Sequence, residues 1–537
     1  YNGQKSAIFQ PAKDYSSASA IYMQTRKPLF KGEKKNNLNI GVKGGSFSTI
    51  NPSLLWEHRF NERISSSIST EYMYTSGRYK FTYAKKDGYD TTAVRQNGDV
   101  RMLRLENAFF GKVPKGEWKA KAYLYNSERG YPGAAVREEP GKFRHQDRQW
   151  DTNLFVQGSF QNYFKPWYSL LANGKYAYDY LHYLSDPRLD VTTMYVDNHY
   201  RQQEIYASAA HLFTIYPWWS MSLSNDFQWN ALRADLIDFV YPTRNTILTS
   251  AATSFDFNRL MLQASLLYTH VDDNTRTKGA NAGTKNKYTP SVIATWQPLT
   301  KLPLNVRAFY KKVFRMPTLN DLYYTFIGNK DLKPEYTTQY DVGITFSHTW
   351  NNHWLKSLDL QIDGYYNEVD DKIIAMPTSN QFRWTMINLG HVEIRGLDAA
   401  IRGEWGFGKV ELSTLFNYTY QKAQDFTDPT SEWYGGQIPY IPWHGGSIIL
   451  NGSYQTWSCN YSFIYTGERY EAVANIPENY AQPWYTHDFS LSKTFQWGKT
   501  GIRVTAEINN IFNQQYEVVQ CYPMPGTSFK IKLNVML

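Results

Sequence analysis

Eleven histidines are the first residues to test for chemistry. His58, His145, His182, His199, His211, His270 and His444 are dispersed along the chain without a shared interval. No H-E-x-x-H metal helix, G-x-S-x-G nucleophile turn or phosphate-cradling loop occurs. Paired carboxylates stand at Asp272-Asp273 and Asp370-Asp371, in stretches that read as long loops. They could bind a cation, but the ligand spacing of a calcium loop is absent, and solvated loop tips are the plainer reading. Cys459 and Cys521 are too few for a cysteine cage or a disulfide framework, and their spacing does not say whether they pair. No catalytic set, metal site or resident cofactor is expected. What remains is recognition chemistry. Arg129-Gly130-Tyr131-Pro132-Gly133, Tyr178 with Tyr180, and the stretch from Trp433-Tyr434 to Trp443 put aromatics where they could stack on a large planar or amphipathic ligand. Two plainer uses compete. Tyr and Trp near strand ends commonly form membrane girdles, and Pro132 and Gly133 are turn formers.

The elements that must position these residues are strands. Side chains alternate with period 2 from end to end. Phe529, Ile531, Leu533, Val535 and Leu537 share one face, with Lys530, Lys532 and Asn534 on the other. Trp219, Met221, Leu223, Phe227 and Trp229 oppose Ser220, Ser222, Ser224, Asp226, Gln228 and Asn230. Spacers alternate too. Short ones such as Pro114 to Glu117 and Tyr454 to Thr456 trade places with long ones near 76–98, 128–149, 183–200, 272–287, 314–335, 370–386, 423–440, 467–484 and 512–526. Short periplasmic turns and long extracellular loops are the asymmetry of outer-membrane barrels. The alternation predicts an all-β transmembrane antiparallel barrel over 37–537, with about 22 strands of roughly 10–14 residues each. A barrel that wide needs a plug.

Composition agrees. Aromatics make up 17% of 537 residues, with 43 Tyr and 17 Trp, yet charged residues are 20% and mean hydropathy is −0.56. A barrel with a lipid face, a wet lumen and aromatic rims reconciles the two. A soluble sugar-binding β-protein would share this composition. No apolar run approaches the roughly 18 residues of a helical span. The net charge of +9 comes from scattered basic residues, so nucleic-acid binding is not expected. Basic rims would suit anionic lipopolysaccharide and outer-membrane lipid. The chain opens without Met or a signal peptide, which suggests processing or truncation.

Several segments resemble the barrel of TonB-dependent transporters. Phe314-Arg315-Met316-Pro317-Thr318-Leu319-Asn320-Asp321-Leu322-Tyr323-Tyr324, then Gly328-Asn329 and Leu332-Lys333-Pro334-Glu335, is similar to the family's F-R-x-P…L-Y loop and its G-N-x-x-L-x-P-E continuation. Asn388-Leu389-Gly390, Ile394-Arg395-Gly396-Leu397, Ile438-Pro439-Tyr440-Ile441-Pro442, Glu507-Ile508-Asn509-Asn510 and Tyr522-Pro523-Met524-Pro525-Gly526 follow in the family's order. Two positions depart: Thr527 stands where the family often has Arg, and Leu537 where it often ends in an aromatic. Ser16 to Pro28 is similar to the plug exit. The resemblance therefore implies that 1–36 is the end of a plug domain plus linker, with most of the plug and a TonB box outside this sequence. It implies coupling to the TonB-ExbB-ExbD complex, residence in a Gram-negative outer membrane, and sometimes a surface lipoprotein lid. It implies uptake of a scarce large nutrient, cobalamin or a ferric siderophore. Haem is disfavoured, because no His lies between the Phe314 and Asn329 boxes. Arg315, Tyr323 and Tyr324 join the substrate-binding candidates.

A passive porin or a barrel enzyme is the alternative. Porins have fewer strands and no plug exit, and barrel enzymes cluster carboxylates or Ser and His at the rim. The membrane reading makes a cheap prediction: the purified protein stays monodisperse only with detergent. A chain soluble and monomeric without it would end that reading.

Overall fold

The computed structural model describes residues 7–84, 90–135, 147–186, 195–277, 282–324, 327–351, 353–377 and 384–537. The alternating segments pair as antiparallel neighbours in chain order, from Asn36–Gly45 to Ser528–Met536. The first strand then pairs with the last, Ile40 opposite Val535 and Gly45 opposite Lys530. Leu38 and Leu537 exchange backbone N–H···O bonds of 3.2 and 2.8 Å at the seam. The sheet is a closed barrel of 22 strands, as the alternation predicts. Closure leaves no edge, so every strand has a partner on both sides.

The long connections gather at one end. Two-residue turns at the other end join Val113 to Gly116, Phe407 to Val410 and Trp497 to Thr500. Gly408 and Gly498 take φ of 64° and 58° there, a left-handed conformation that costs glycine little. One expectation about length is corrected. The 22 barrel strands run from 9 residues (Ser528–Met536) to 24 (Trp384–Phe407), not roughly 10–14. They continue beyond hydrocarbon because pairing with a neighbour still satisfies the backbone in water. Segments read as loops are correspondingly shorter: 76–98 contains a hairpin of Lys80–Ala84 with Asp90–Val94, and Leu260–Asn274 carries both Asp272 and Asp273.

Parity separates two chemistries. In Trp219–Ala234, Met221, Leu223 and Phe227 are each more than 40% exposed, while Ser222, Ser224 and Asp226 are buried. The exposed series faces outward as an apolar belt. Its lower rim carries stacked aromatics, with Trp218–Phe257 at 5.9 Å and Trp219–Phe255 at 6.0 Å between centroids. Such a belt with an aromatic edge matches a hydrocarbon layer.

The inward series meets the N-terminal segment. A 3-10 turn, Ala12–Ser16, lies against the inner wall. Ile8, Ala12 and Tyr15 pack on Leu248, Ala252 and Leu267. The Asp226 carboxylate accepts the N–H groups of Ala12 (3.0 Å) and Lys13 (2.8 Å), and Lys311 Nζ donates to the Ser17 carbonyl at 2.7 Å. Burial pushes the Tyr15 phenol up, and its hydroxyl donates to the Ile8 carbonyl at 3.0 Å. The alternating stretch Ala20 to Thr25 forms no strand, and Ile21 and Met23 are 91% and 90% exposed.

Leu223→Arg places a charge near mid-belt and should cost about 2–4 kcal/mol, whereas Ser222→Ala on the wet face should cost little. Unfolding in lipid bilayers measures both, and equal effects would contradict the assignment of faces.

Candidate functional site

At the long-loop end, inward parity brings three neighbouring strands together. Arg129, on Gly116–Tyr131, reaches Asp151 on Asp147–Lys165 in a tight ion pair. Asp151 also accepts from Ser127 Oγ (3.2 Å) and Gln149 Nε2 (2.7 Å). Tyr131 donates its hydroxyl to Gln149 Oε1 at 2.8 Å and lies under the Arg129 guanidinium, 5.9 Å from the ring centroid. Tyr183, on Tyr168–Ser185, meets Tyr131 edge-on at 6.3 Å and donates to Asp147 at 2.7 Å. The Arg129 to Gly133 stretch is therefore more than a turn: its arginine and tyrosine are locked into the inner wall.

The loop after Leu304–Arg315 completes this mouth. Thr318 and Asp321 form a reciprocal cap on the short helix Leu319–Tyr323, with bonds of 3.1 and 2.9 Å. Leu319, Leu322 and Tyr323 pack with Tyr200, Leu232, Val240 and Leu332. Tyr324 stacks on Tyr200 at 4.3 Å and 13°. Burial pushes the phenols of Tyr323 and Tyr324 up, with Tyr131 and Asp151 near enough to Tyr324 to add to its shift. Those two phenols thus stay neutral at neutral pH, and the cluster is an apolar and hydrogen-bonding wall. A cavity of about 460 Å³ lies beside it, lined by Tyr195 to Asn198, Asp235 to Val240, and Leu322 to Tyr324 with Gly328 and Lys330.

Most motif residues build this loop rather than face a ligand. Arg315 is half-exposed and bridges Asp321 (3.6 Å) and Glu335 (3.5 Å). Asn329 donates to the Met386 carbonyl at 3.0 Å. Asn388 accepts the Lys333 N–H at 2.8 Å and donates to the Lys333 and Asp371 carbonyls. A Cβ on Gly328 would sit 2.7 Å from Tyr324 backbone atoms, so only glycine fits. Arg244 is the strongest clamp. It grips Asp273 through two bonds of 2.6 and 2.7 Å and donates to the Pro317 carbonyl at 2.6 Å, all buried. Asp273 is therefore no solvated loop tip, and Asp370 and Asp371 lie within the strand Leu355–Pro377. Asp370 is exposed and bonds His391 Nδ1 at 2.8 Å.

Of the expected site residues, Arg129, Tyr131, Tyr323 and Tyr324 come together. Trp433 and Tyr434 do not. They sit about halfway round the ring, where Tyr434 packs edge-on against Phe426 at 5.2 Å. There Tyr440 is pushed up to about 12, mainly by burial. Tyr178 and Tyr180 are corrected outright. Lys175 bonds Glu204, and Glu204 shares inward parity with Asp226, so the even-numbered residues of Tyr168–Ser185 face out. His145 lies outside the described residues. Cys459 and Cys521 form no disulfide. Gln149, Asp151, Tyr183, Tyr200 and Arg244 were missed. Spacing offers only a faint signal for the first two, which share parity along one strand.

Arg244→Ala should leave Asp273 buried and unpaired and free the Pro317 carbonyl, at about 3–5 kcal/mol. A lowered unfolding temperature in detergent, with new protease cleavage within 316–334, measures it. An unchanged cleavage pattern would mean that helix packing alone holds the loop.

Comparison with known proteins places this geometry. The family model "TonB dependent receptor-like, beta-barrel" matches residues 36–511. Over 244 residues the chain is 28% identical to the vitamin B12 transporter BtuB of Photobacterium profundum, covering 44% of this chain. It spans 36% of that relative's length. The copper transporter OprC superposes with a TM-score of 0.74 at 15% identity, over 100% of this chain and 85% of that one. The ferric-catecholate import receptor Fiu from K12 E. coli gives 0.71 at 12%, over 98% and 85%. These low identities speak to the fold alone. The family model, which spans most of the chain, settles the assignment: this protein belongs to the TonB-dependent receptor family, and residues 36–511 match its β-barrel.

Proposed function

We propose that the protein is the barrel of an active transporter in a Gram-negative outer membrane, taking up a scarce large nutrient, with cobalamin the first choice and a ferric siderophore the second. The observation that carries this is the inward mouth of Arg129, Tyr131, Tyr183, Tyr200 and Tyr324. Phenol rings, a fixed guanidinium and a cavity beside them suit a large amphipathic solute with amide and carboxylate edges. Uptake against a gradient needs work, which the TonB-ExbB-ExbD complex would deliver through a TonB box upstream of this sequence.

Residues 1–36 are read as the end of the plug and its linker. Support comes from the grip of Asp226 on Ala12 and Lys13 and from the buried contacts of Ile8 and Tyr15. The buried Asp341 carboxylate faces the lumen beside this segment, has no hydrogen-bond partner among the described residues, and stands 3.7 Å from the Arg307 guanidinium. A basic plug residue would complete it. On the short-turn side, Arg26 pairs with Glu57 at 2.6 Å and Lys27 with Glu117, tying the linker to the barrel wall. A surface lipoprotein on the loops and contact with lipopolysaccharide remain part of the same reading.

The test uses the full-length parent in detergent, by native mass spectrometry with cyanocobalamin, a ferric siderophore and haem at matched concentrations. Cobalamin should be retained one to one, and Tyr131→Ala or Tyr324→Ala should weaken it about tenfold. Retention of the siderophore instead keeps the transport reading and changes the nutrient. Retention of none withdraws the substrate.

A further inference from the structure

The residues that parity turns outward make a second site. His182 and His199 are direct cross-strand partners on Tyr168–Ser185 and Val196–Tyr216. Their rings lie 4.0 Å apart, and Asp197 sits beside them. His182 Nε2 is 2.7 Å from Asp197 Oδ1, and His199 Nε2 is 3.6 Å from the same oxygen. Asp235 Oδ2 is 3.8 Å from His199 Nε2. His182 and His199 lie on the outer wall, beyond the apolar belt marked by Tyr176 and Ile205, and Asp197 and Asp235 also border the mouth cavity.

We propose that His182, Asp197 and His199 form a binding site for a borderline divalent transition metal of the Zn²⁺ class, with Asp235 as fourth ligand. Three features support it. Four ligands about 2.0 Å from zinc stand about 3.3 Å from one another in a tetrahedron; the ligand atoms of His182, Asp197 and His199 all lie within 4.8 Å of one another, and Asp235 stands 3.8 Å from His199. Two imidazoles with carboxylates select a borderline ion over Mg²⁺ or Ca²⁺, which take oxygen sets.

The third feature is the support behind the ligands. Tyr180 Oη lies 2.7 Å from His199 Nδ1. When Nδ1–H donates to that oxygen, the Nε2 lone pair is left for a metal. Trp150 stacks on His182 at 4.6 Å and 17°, fixing its ring from the next strand. Asp235 Oδ1 accepts the His199 N–H at 2.8 Å, which orients its other oxygen toward the site. Binding replaces the His182–Asp197 hydrogen bond and splays the stacked rings.

The site has a structural consequence. Asp235 opens the segment Asp235 to Val240 that lines the mouth cavity, and Val240 belongs to the core under the helix Leu319–Tyr323. A bound ion therefore ties the mouth wall to the strand pair from outside.

The full-length protein, carrying a tag without histidine and stripped with EDTA, is titrated with Zn²⁺ by calorimetry in detergent. One equivalent should bind. His199→Ala should weaken it more than tenfold, and Tyr180→Phe, which keeps both imidazoles, about tenfold. His353→Ala, an exposed histidine in a turn at the other end, should bind as the parent does. Cu²⁺ should show hyperfine coupling to two imidazole nitrogens, with one lost in His182→Gln. Glutamine variants at both histidines guard against an alanine that disturbs folding, and heat-modifiable gel migration checks the barrel. An affinity for Zn²⁺ unchanged in both His199 variants, or no binding by the parent, would overturn the proposal.

Discussion

The structure depends on one constraint: in hydrocarbon no backbone N–H or C=O can go unpaired. A sheet meets it only by closing, and here closure joins the strand at Asn36–Gly45 to the strand at Ser528–Met536. Once the ring is shut, each residue's face follows from its position in the register. Ser222, Ser224 and Asp226 must face the lumen because Met221, Leu223 and Phe227 face the belt. The same parity passes from strand to strand through the pairings, and it decides what can line a passage and what can touch lipid or its surroundings.

The lumen then acquires its own polar logic. An inward carboxylate such as Asp226 is buried without lipid contact, so it needs donors, and it takes them from the backbone of the N-terminal segment. Arg129 and Asp151 satisfy each other higher up, beside Tyr131 and Tyr183. A wall built this way is rigid before any ligand arrives, which reduces the entropy lost on binding.

The long loops are held by buried polar clamps rather than by sheet. Arg244 joins Asp273 on the neighbouring strand to the Pro317 carbonyl of a loop more than seventy residues away in sequence. Asn329, Asn388 and Gly328 repeat the principle with backbone groups. The residues that carry the family resemblance in this stretch are thus mainly builders of the mouth. Of the residues facing its interior, Tyr183 and Tyr200 have no motif to mark them.

The sequence by itself determined the strands, their approximate number, the end on which the long loops gather and the barrel class. Period-2 alternation between apolar and polar residues states these directly wherever one face meets lipid. Phe529 to Leu537 and Trp219 to Asn230 are legible for that reason. Above the belt both faces are wet, and alternation loses its contrast. Tyr178, Tyr180, His182 and Tyr183 look alike there, yet the first three face out and the last faces in. Strand ends were misjudged for the same reason, since pairing continues where hydrophobicity no longer reports it. Only the register decided that Tyr131 meets Tyr183, that His182 meets His199 and that Arg244 reaches Asp273. Each of these contacts joins residues on different strands, and their spacing along one chain carries no information about which strands lie side by side at which height.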